Sequence, residues 1–466
     1  MSSSFLGLDL STQRLKAVIV RDHSHIVHQA AIDFDHHLPH YRTTNGVLHG
    51  PAHGEVTSPV GMWLEAIDLL MQTLKDDGVD LSSIVAVSGA AQQHGSVYWT
   101  KHALASLQPD KSLKDQLFPT AFTVENCPTW HDSSTTEDCE RMEAAVGGAQ
   151  VLADLTGSRA YERFTGNQIA KIRRLQPDRY AATDRISLVS SFIASLFLGA
   201  IAPIDVSDAS GMNLMNILTS KWDDSLLELS GGPELRSKLG PDPVSGGVVL
   251  GRIHRWWVDR WNFNPECVIA PFTGDNAATV VAMSTPGDAI LSLGTSTTFL
   301  LSIPAADEPP RRFTTSHLLA HPAVAGGHVA MLCYKNGALV RENVRDRFAN
   351  GNWDLFNELV ESTQPGNGGY FGLYFPHPEI IPPNVVGEYF FKFSPSSDVP
   401  GPSLVPLADV PPNAHPRAIL ESQFLSIKSR VNAILPDNSV ALQRLILTGG
   451  TSANQTVRQI AAVSVS

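Results

Sequence analysis

The 466-residue sequence has only four cysteines, Cys127, Cys139, Cys267 and Cys333, and no Cys-x-x-Cys pair. That fits free thiols in a reducing, cytoplasmic setting and not a disulfide-built scaffold. Basic residues are also few: 34 Lys and Arg stand against 46 Asp and Glu, a net charge of −12. Nucleic acid and anionic membrane are therefore not expected partners, because both need clustered positive charge. An anionic substrate would have to be met by local positive groups or backbone N–H donors. The opening MSSSFLGLDL has no basic, apolar leader, so no secretory signal is expected. One long uncharged run exists, the 19 residues Ile186–Ile204, but it holds four serines, Gly199 and Pro203 and stands alone. It reads as a buried core helix, Arg185–Leu198, and not as a membrane span. Eight histidines lie between His23 and His53 without zincin or finger spacing, and no metal site is expected from them.

What is present is an ordinary globular mixture, 43% apolar and 17% charged, with chain enough for two large domains. Three apolar runs between residues 5 and 34 are separated by short polar breaks and predict two successive hairpins. Apolar residues at 62, 64, 67, 70, 71 and 74 follow helical spacing, and Gly78 closes that helix. Thr136–Val146 is expected as a helix capped near Ser134. Residues 203–217, PIDVSDASGMNLMNI, read as strand-like. The seven prolines of residues 394–416 predict a surface excursion. Strands alternating with helices indicate an α/β fold.

The most informative stretch runs from Cys267 to Leu301. Val268–Phe272 is an apolar run that passes through Thr273-Gly274-Asp275-Asn276 into an alanine-rich segment. It predicts strand, tight turn and helix start, with a carboxylate fixed at the turn. Ala289–Leu293 breaks at Gly294-Thr295-Ser296-Thr297-Thr298 and resumes at Phe299, a hairpin with a hydroxyl-rich turn. Leu8-Asp9-Leu10-Ser11-Thr12 has the same character near the start of the chain. A base beside anion-binding turns points to phosphoryl transfer. Asp9 is a candidate for Mg²⁺, held through water, although an Asx turn would explain the same residues. Gly449-Gly450-Thr451-Ser452-Ala453-Asn454 lies between a strand and a helix and suits a nucleotide, though no Gly-Lys-Ser/Thr follows it. Gln92-Gln93-His94-Gly95 ends a buried strand, where α/β proteins bind ligands. Trp130-His131-Asp132 could add a stacking face and an acceptor, and Arg159 and Arg163 hydrogen-bond donors.

GLDLSTQ, SGAAQQHGSVYW, TGSRAYERFTGNQIAKI, FTGDNAA, SLGTSTT and LTGGTSAN occur in this order, and together they resemble the FGGY carbohydrate kinases, in particular their eukaryotic xylulose-phosphorylating members. The resemblance runs from residue 5 to about 460. It implies two ribonuclease-H-like lobes of the actin/hexokinase type around a central cleft, residues 1–285 binding sugar and 286–466 binding ATP. It implies Asp275 as general base, and His94, Arg163, Asp275 and Asn276 as the D-xylulose site. Gly294, Thr295, Trp353, Gly449, Gly450 and Asn454 would hold the nucleotide, and Asp9 would sit near Mg²⁺. The product would be D-xylulose 5-phosphate, made by a cytoplasmic monomer or homodimer. Members usually continue past the LTGGTSAN helix, so a short C-terminal lobe is expected. Another sugar or polyol kinase, or a sugar- or nucleotide-binding protein with little turnover, are the alternatives.

Overall fold

The computed structural model describes residues 3–21, 25–393, 401–436 and 442–465. The chain divides into two compact units, Met1–Ala282 with Leu318–Gly327, and Met283–His317 with His328–Ser466.

In the first unit, β1 (Ser4–Leu10), β2 (Arg14–Arg21) and β3 (His25–Asp33) form the two expected hairpins. Side chains of β1 alternate between buried and more exposed, as a half-buried strand requires. β4 (Ile84–Ala91) and β5 (Val268–Gly274) add in parallel on the other side of β1, giving the order β3-β2-β1-β4-β5 with a short edge at Gly251–Arg252. α1 (Val60–Asp76) turns Met62, Trp63, Ile67, Leu70, Met71 and Leu74 into the core. Each such side chain contributes about 1.5–3 kcal/mol by leaving water.

Three sequence expectations need correction here. The uncharged run begins as a strand, Arg185–Leu188, paired antiparallel with Ser96–Trp99, and becomes helical only at Val189. Trp99 Nε1 donates to Ser187 Oγ across that pair, so tertiary pairing overrides the apolar pattern. Residues 203–217 are not strand-like through Asp205. Asp205 Oδ1 accepts the backbone N–H of Ser207 (3.0 Å) and Asp208 (3.1 Å), which starts a helical turn at Val206–Ala209. Thr136–Val146 is helical, but the cap position is Thr135 without a side-chain bond, because Ser134 is engaged with Asp132. Among the described residues no helix is long and apolar enough to cross a membrane.

The helices that position the site follow in chain order: α2 (Thr165–Leu175), α3 (Val189–Leu198), α4 (Val206–Ala209) and α5 (Asp275–Met283). Residues 318–327 are held in the first unit by backbone bonds: Leu318 N donates to Gly157 O and Gly246 N to Pro322 O, both at 2.8 Å.

The second unit repeats the sheet. β6 (Asp288–Leu293) and β7 (Thr297–Ile303) form a hairpin, β8 (His328–Tyr334) pairs antiparallel with β7, and β9 (Arg444–Thr448) runs parallel to β6. The order β8-β7-β6-β9 matches β3-β2-β1-β4 of the first unit. Both opening hairpins turn over three residues, Ser11–Gln13 and Gly294–Ser296. This is the doubled ribonuclease-H-like α/β fold expected from the resemblance. Helices α6 (Ala338–Phe348), α7 (Trp353–Glu361), α8 (His415–Ile434) and α9 (Gln455–Val465) complete the unit. The proline-rich stretch is not wholly an excursion: Pro402–Val405 is a strand paired with Gly387–Phe393, and 394–400 lies outside the described residues.

Candidate active site

β5 runs into α5 without an intervening turn, so Asp275 is the first helical residue. Its Oδ1 accepts the backbone N–H of Asn276 at 2.8 Å. Asn276 Nδ2 is shared, donating to Asp275 Oδ1 (3.2 Å) and to Gln93 Oε1 (2.9 Å). A side-chain amide therefore joins the end of β4 to the carboxylate at the end of β5. Burial, with the negative charge of Asp9 added, pushes the Asp275 carboxyl up to about 6. A carboxylate ionised at neutral pH, yet more basic than an ordinary Asp, is suited to accept a proton.

His94 adopts a positive φ of 71° and stacks on Phe164 with ring centroids 4.6 Å apart. Its Nδ1 lies 2.8 Å from the carbonyl oxygen of Gly211. Burial, helped by the positive charge of Arg163, drives the imidazole down to about 3. The ring is thus neutral, with Nδ1–H donating to Gly211 and Nε2 left as an acceptor. Arg163 lies over the rings of Tyr161 (4.7 Å) and Phe164 (5.5 Å), which places its guanidinium beside His94. Arg159 is instead committed to Glu143, through two bonds of 3.0 Å. Asp132 is likewise occupied: it is buried and accepts from Val56 N, Ser134 and Gln168. Trp130 is exposed and stacks on His131, with Nε1 donating to Thr12 Oγ1.

Asp9 lies on β1 with Oδ2 3.3 Å from Lys16 Nζ, while Oδ1 is buried without a hydrogen bond. It borders a pocket of about 450 Å³ whose walls include Gly7, Lys16, Gly89, Thr273 and Ala278.

In the second unit, the turn after β6 and the loop after β9 abut. Gly449 has φ 84°, and a β-carbon there would lie 2.9 Å from Leu293 C and O. Gly337 backs the same turn: its β-carbon would lie 2.6 Å from Thr295 O, and Ala338 N donates to Gly294 O. Asn454 Nδ2 donates to Asn357 Oδ1 (2.9 Å) one turn along α7 from Trp353, and Asn454 Oδ1 accepts from Val457 N, capping α9. Arg345 lies 4.8 Å from the centre of the Trp353 ring. Beneath the loop, Arg341 is fully buried, reaching Gln423 Oε1 and Thr451 Oγ1.

Two groups escaped sequence reading. Asp205 and Asp208, both fully buried, flank β5: Thr273 Oγ1 is 2.5 Å from Asp205 Oδ1 and Ser190 Oγ 2.5 Å from Asp208 Oδ2. The Asp-x-Ser-Asp spacing was the available signal, since it is a helix-cap pattern. Arg341 gave none.

Residues 120–282 match the N-terminal domain of the FGGY family of carbohydrate kinases, and residues 289–463 match its C-terminal domain. The chain belongs to the FGGY family of carbohydrate kinases. It is 42% identical to the probable D-xylulose kinase A of Aspergillus flavus, over 98% of this chain and 83% of that one, and equally similar, with the same coverage, to that of Aspergillus niger. The fold resembles the xylulose kinase of Rhodospirillum rubrum, with a TM-score of 0.77 at 17% identity over 98% of this chain and 84% of that one. The ADP-bound glycerol kinase of Plasmodium falciparum gives 0.73 at 14% identity, over 99% and 84%. As an FGGY kinase the protein takes ATP as phosphoryl donor.

Proposed function

We propose that the protein phosphorylates D-xylulose with ATP, giving D-xylulose 5-phosphate and ADP. The observation that carries the chemistry is Asp275, fixed at the start of α5 by Asn276 and made more basic by burial. The choice of sugar is supported by the 40–42% identity to relatives named as D-xylulose kinases.

The acceptor binds in the first unit. His94 Nε2 accepts from a sugar hydroxyl, Arg163 donates to a sugar oxygen, and Asn276, its amide N–H groups held by Gln93 and Asp275, offers its Oδ1 to a sugar hydroxyl. Asp275 takes the proton of the terminal hydroxyl as its oxygen bonds to the γ-phosphorus, and the bond from phosphorus to the bridging oxygen breaks to release ADP. The second unit supplies the donor site: Gly294 and Thr295 offer backbone N–H groups to the phosphates, and Gly449, Gly450, Asn454 and Trp353 hold the nucleoside.

Asp9 fits a Mg²⁺ that arrives with ATP, because a carboxylate oxygen without a hydrogen bond is an available acceptor for a hydrated cation. When bound, Mg²⁺ offsets phosphate charge. The free cysteines, three of them buried, suit a cytoplasmic enzyme.

ADP release measured over a panel of ketoses and polyols tests this reading. D-xylulose-dependent turnover, lowered at least about 10²-fold by Asp275→Ala, is expected. Turnover that ignores the ketose, or a preference for ribulose or glycerol, overturns it.

A further inference from the structure

Behind Asp275 lies a second carboxyl group whose surroundings converge on the base. Asp208 is 1% exposed. Its Oδ2 is 2.5 Å from Ser190 Oγ on α3. Its Oδ1 has no regular hydrogen bond among the described residues, and neither has Gln93 Nε2. These two atoms meet over Gly274: a β-carbon on Gly274 would lie 2.7 Å from Gln93 Nε2 and 2.8 Å from Asp208 Oδ1. Only a residue without a side chain leaves room for them. The other end of the Gln93 amide accepts from Asn276 Nδ2, which also donates to Asp275 Oδ1. Hydrogen bonds thus join Ser190 to Asp208 and Gln93 through Asn276 to Asp275, and the two groups come together where Asp208 Oδ1 and Gln93 Nε2 crowd Gly274.

We infer that Asp208 is a positioning residue for the Asp275 base, acting in its neutral form to hold the Gln93 carboxamide and, through Asn276, the carboxylate. The inference rests on Asp275 being the base. With its proton on Oδ2 beside Ser190, Asp208 presents Oδ1 as an acceptor to Gln93 Nε2. Ionised, it would set a second negative charge beside a carboxylate that must accept a proton next to anionic phosphate.

The neutral form is favoured by the site. Burial first, then the charges of Asp205 and Asp275, push Asp208 up to about 8, against the opposing influence of the Ser190 hydroxyl and the nearby Gln93 amide. The titratable groups around it are Asp205 on the same turn and Asp275 at the end of β5. Asp9 on β1 acts on Asp275, and His94, bonded to Gly211, stays neutral. Asp205 Oδ1 accepts from Thr273 Oγ1 and two backbone N–H groups.

The test is the pH dependence of kcat/KM for the ketose. The wild type should lose rate above about pH 8, as Asp208 ionises. Asp208→Asn, which imitates the neutral acid, should keep kcat at pH 7 within about 3-fold, a barrier change below about 0.7 kcal/mol, and lose the alkaline fall. Asp208→Ala should lower kcat more than about 10-fold. Ser190→Ala removes the hydroxyl that faces Asp208 Oδ2, so it should shift the alkaline fall, and it serves if Asp208→Asn does not fold. An alkaline limb unchanged in Asp208→Asn, or unchanged in Ser190→Ala, overturns the inference. If Asp275→Ala is fully active the base assignment fails instead. If Asp275→Ala is inactive and the limb persists, only the role of Asp208 fails.

Discussion

The backbone of Gly449 lies directly against that of Leu293, so closely that a β-carbon would sit 2.9 Å from the Leu293 carbonyl. Leu293 is the last residue of β6, and Gly294 and Thr295 follow it in the turn. The contact joins the two segments assigned to the nucleotide. Gly449→Ala must displace one of them, and its φ of 84° disfavours any side chain. The expected outcome is a KM for ATP raised about 10-fold or more, with ketose binding little changed. Initial-rate kinetics with each substrate varied in turn check it.

The acid limb of the pH profile reports on Asp275. A general base works only when deprotonated, and burial raises this carboxyl to about 6. Activity should therefore be full near pH 7 and fall as pH drops through about 6. An unperturbed aspartate would hold its rate to near pH 4. A kcat/KM profile between pH 4.5 and 7.5, with stability checked at each pH, separates the two outcomes.

The first unit was legible in the sequence where local patterning and tertiary structure agree. The hairpins of β1–β3, the apolar face of α1 and the strand-to-helix passage at Asp275 follow from alternation, helical spacing and an alanine-rich segment. The hydroxyl-rich turns at Ser11–Gln13 and Gly294–Ser296, alike in the sequence, each close the opening hairpin of a unit. What stayed hidden depends on partners distant in sequence. Asp205 and Asp208 look like a polar break in a strand until Thr273 and Ser190 are seen to face them. Arg185–Leu188 reads as helix until Ser96–Trp99 is placed beside it. Arg341 looks like one more surface charge on α6, yet it is fully buried.

His94 depends on Gly211 in a way that a single methyl group tests. A β-carbon at Gly211 would lie 2.7 Å from His94 Cε1 and 2.8 Å from Nδ1. Gly211→Ala should force the ring off Phe164 and break its bond to the carbonyl. The expected result is a fall of about 10-fold or more in kcat/KM for the ketose, carried mainly by KM, with KM for ATP unchanged. Ketose-dependent quenching of tryptophan fluorescence gives an independent measure of the lost binding.

The second unit carries its own acid-sensitive clasp. Asp288 and Arg444 are register partners on the parallel strands β6 and β9. The guanidinium bonds both carboxylate oxygens, at 3.1 and 2.6 Å, and Thr285 adds its backbone N–H (2.7 Å) and hydroxyl (2.6 Å). The Asp288 carboxylate is fully enclosed, and these bonds, Arg444 foremost, hold it well below the usual carboxylate range. Its folded pKa is thus lower than its unfolded value of about 4, so folding favours the deprotonated form. The stabilisation is complete above that unfolded value and is lost progressively as pH falls below it. Asp288→Asn keeps the shape but removes the charge, and leaves an amide N–H₂ facing the guanidinium or Thr285. It should lower the melting temperature by several degrees at pH 7 and by less at pH 3, where protonation of the unfolded chain has begun to offset the contribution while the folded pair is still intact. Thermal melts of the two proteins between pH 3 and pH 7 should therefore converge on the acid side, and parallel curves would show that the clasp contributes nothing that titrates.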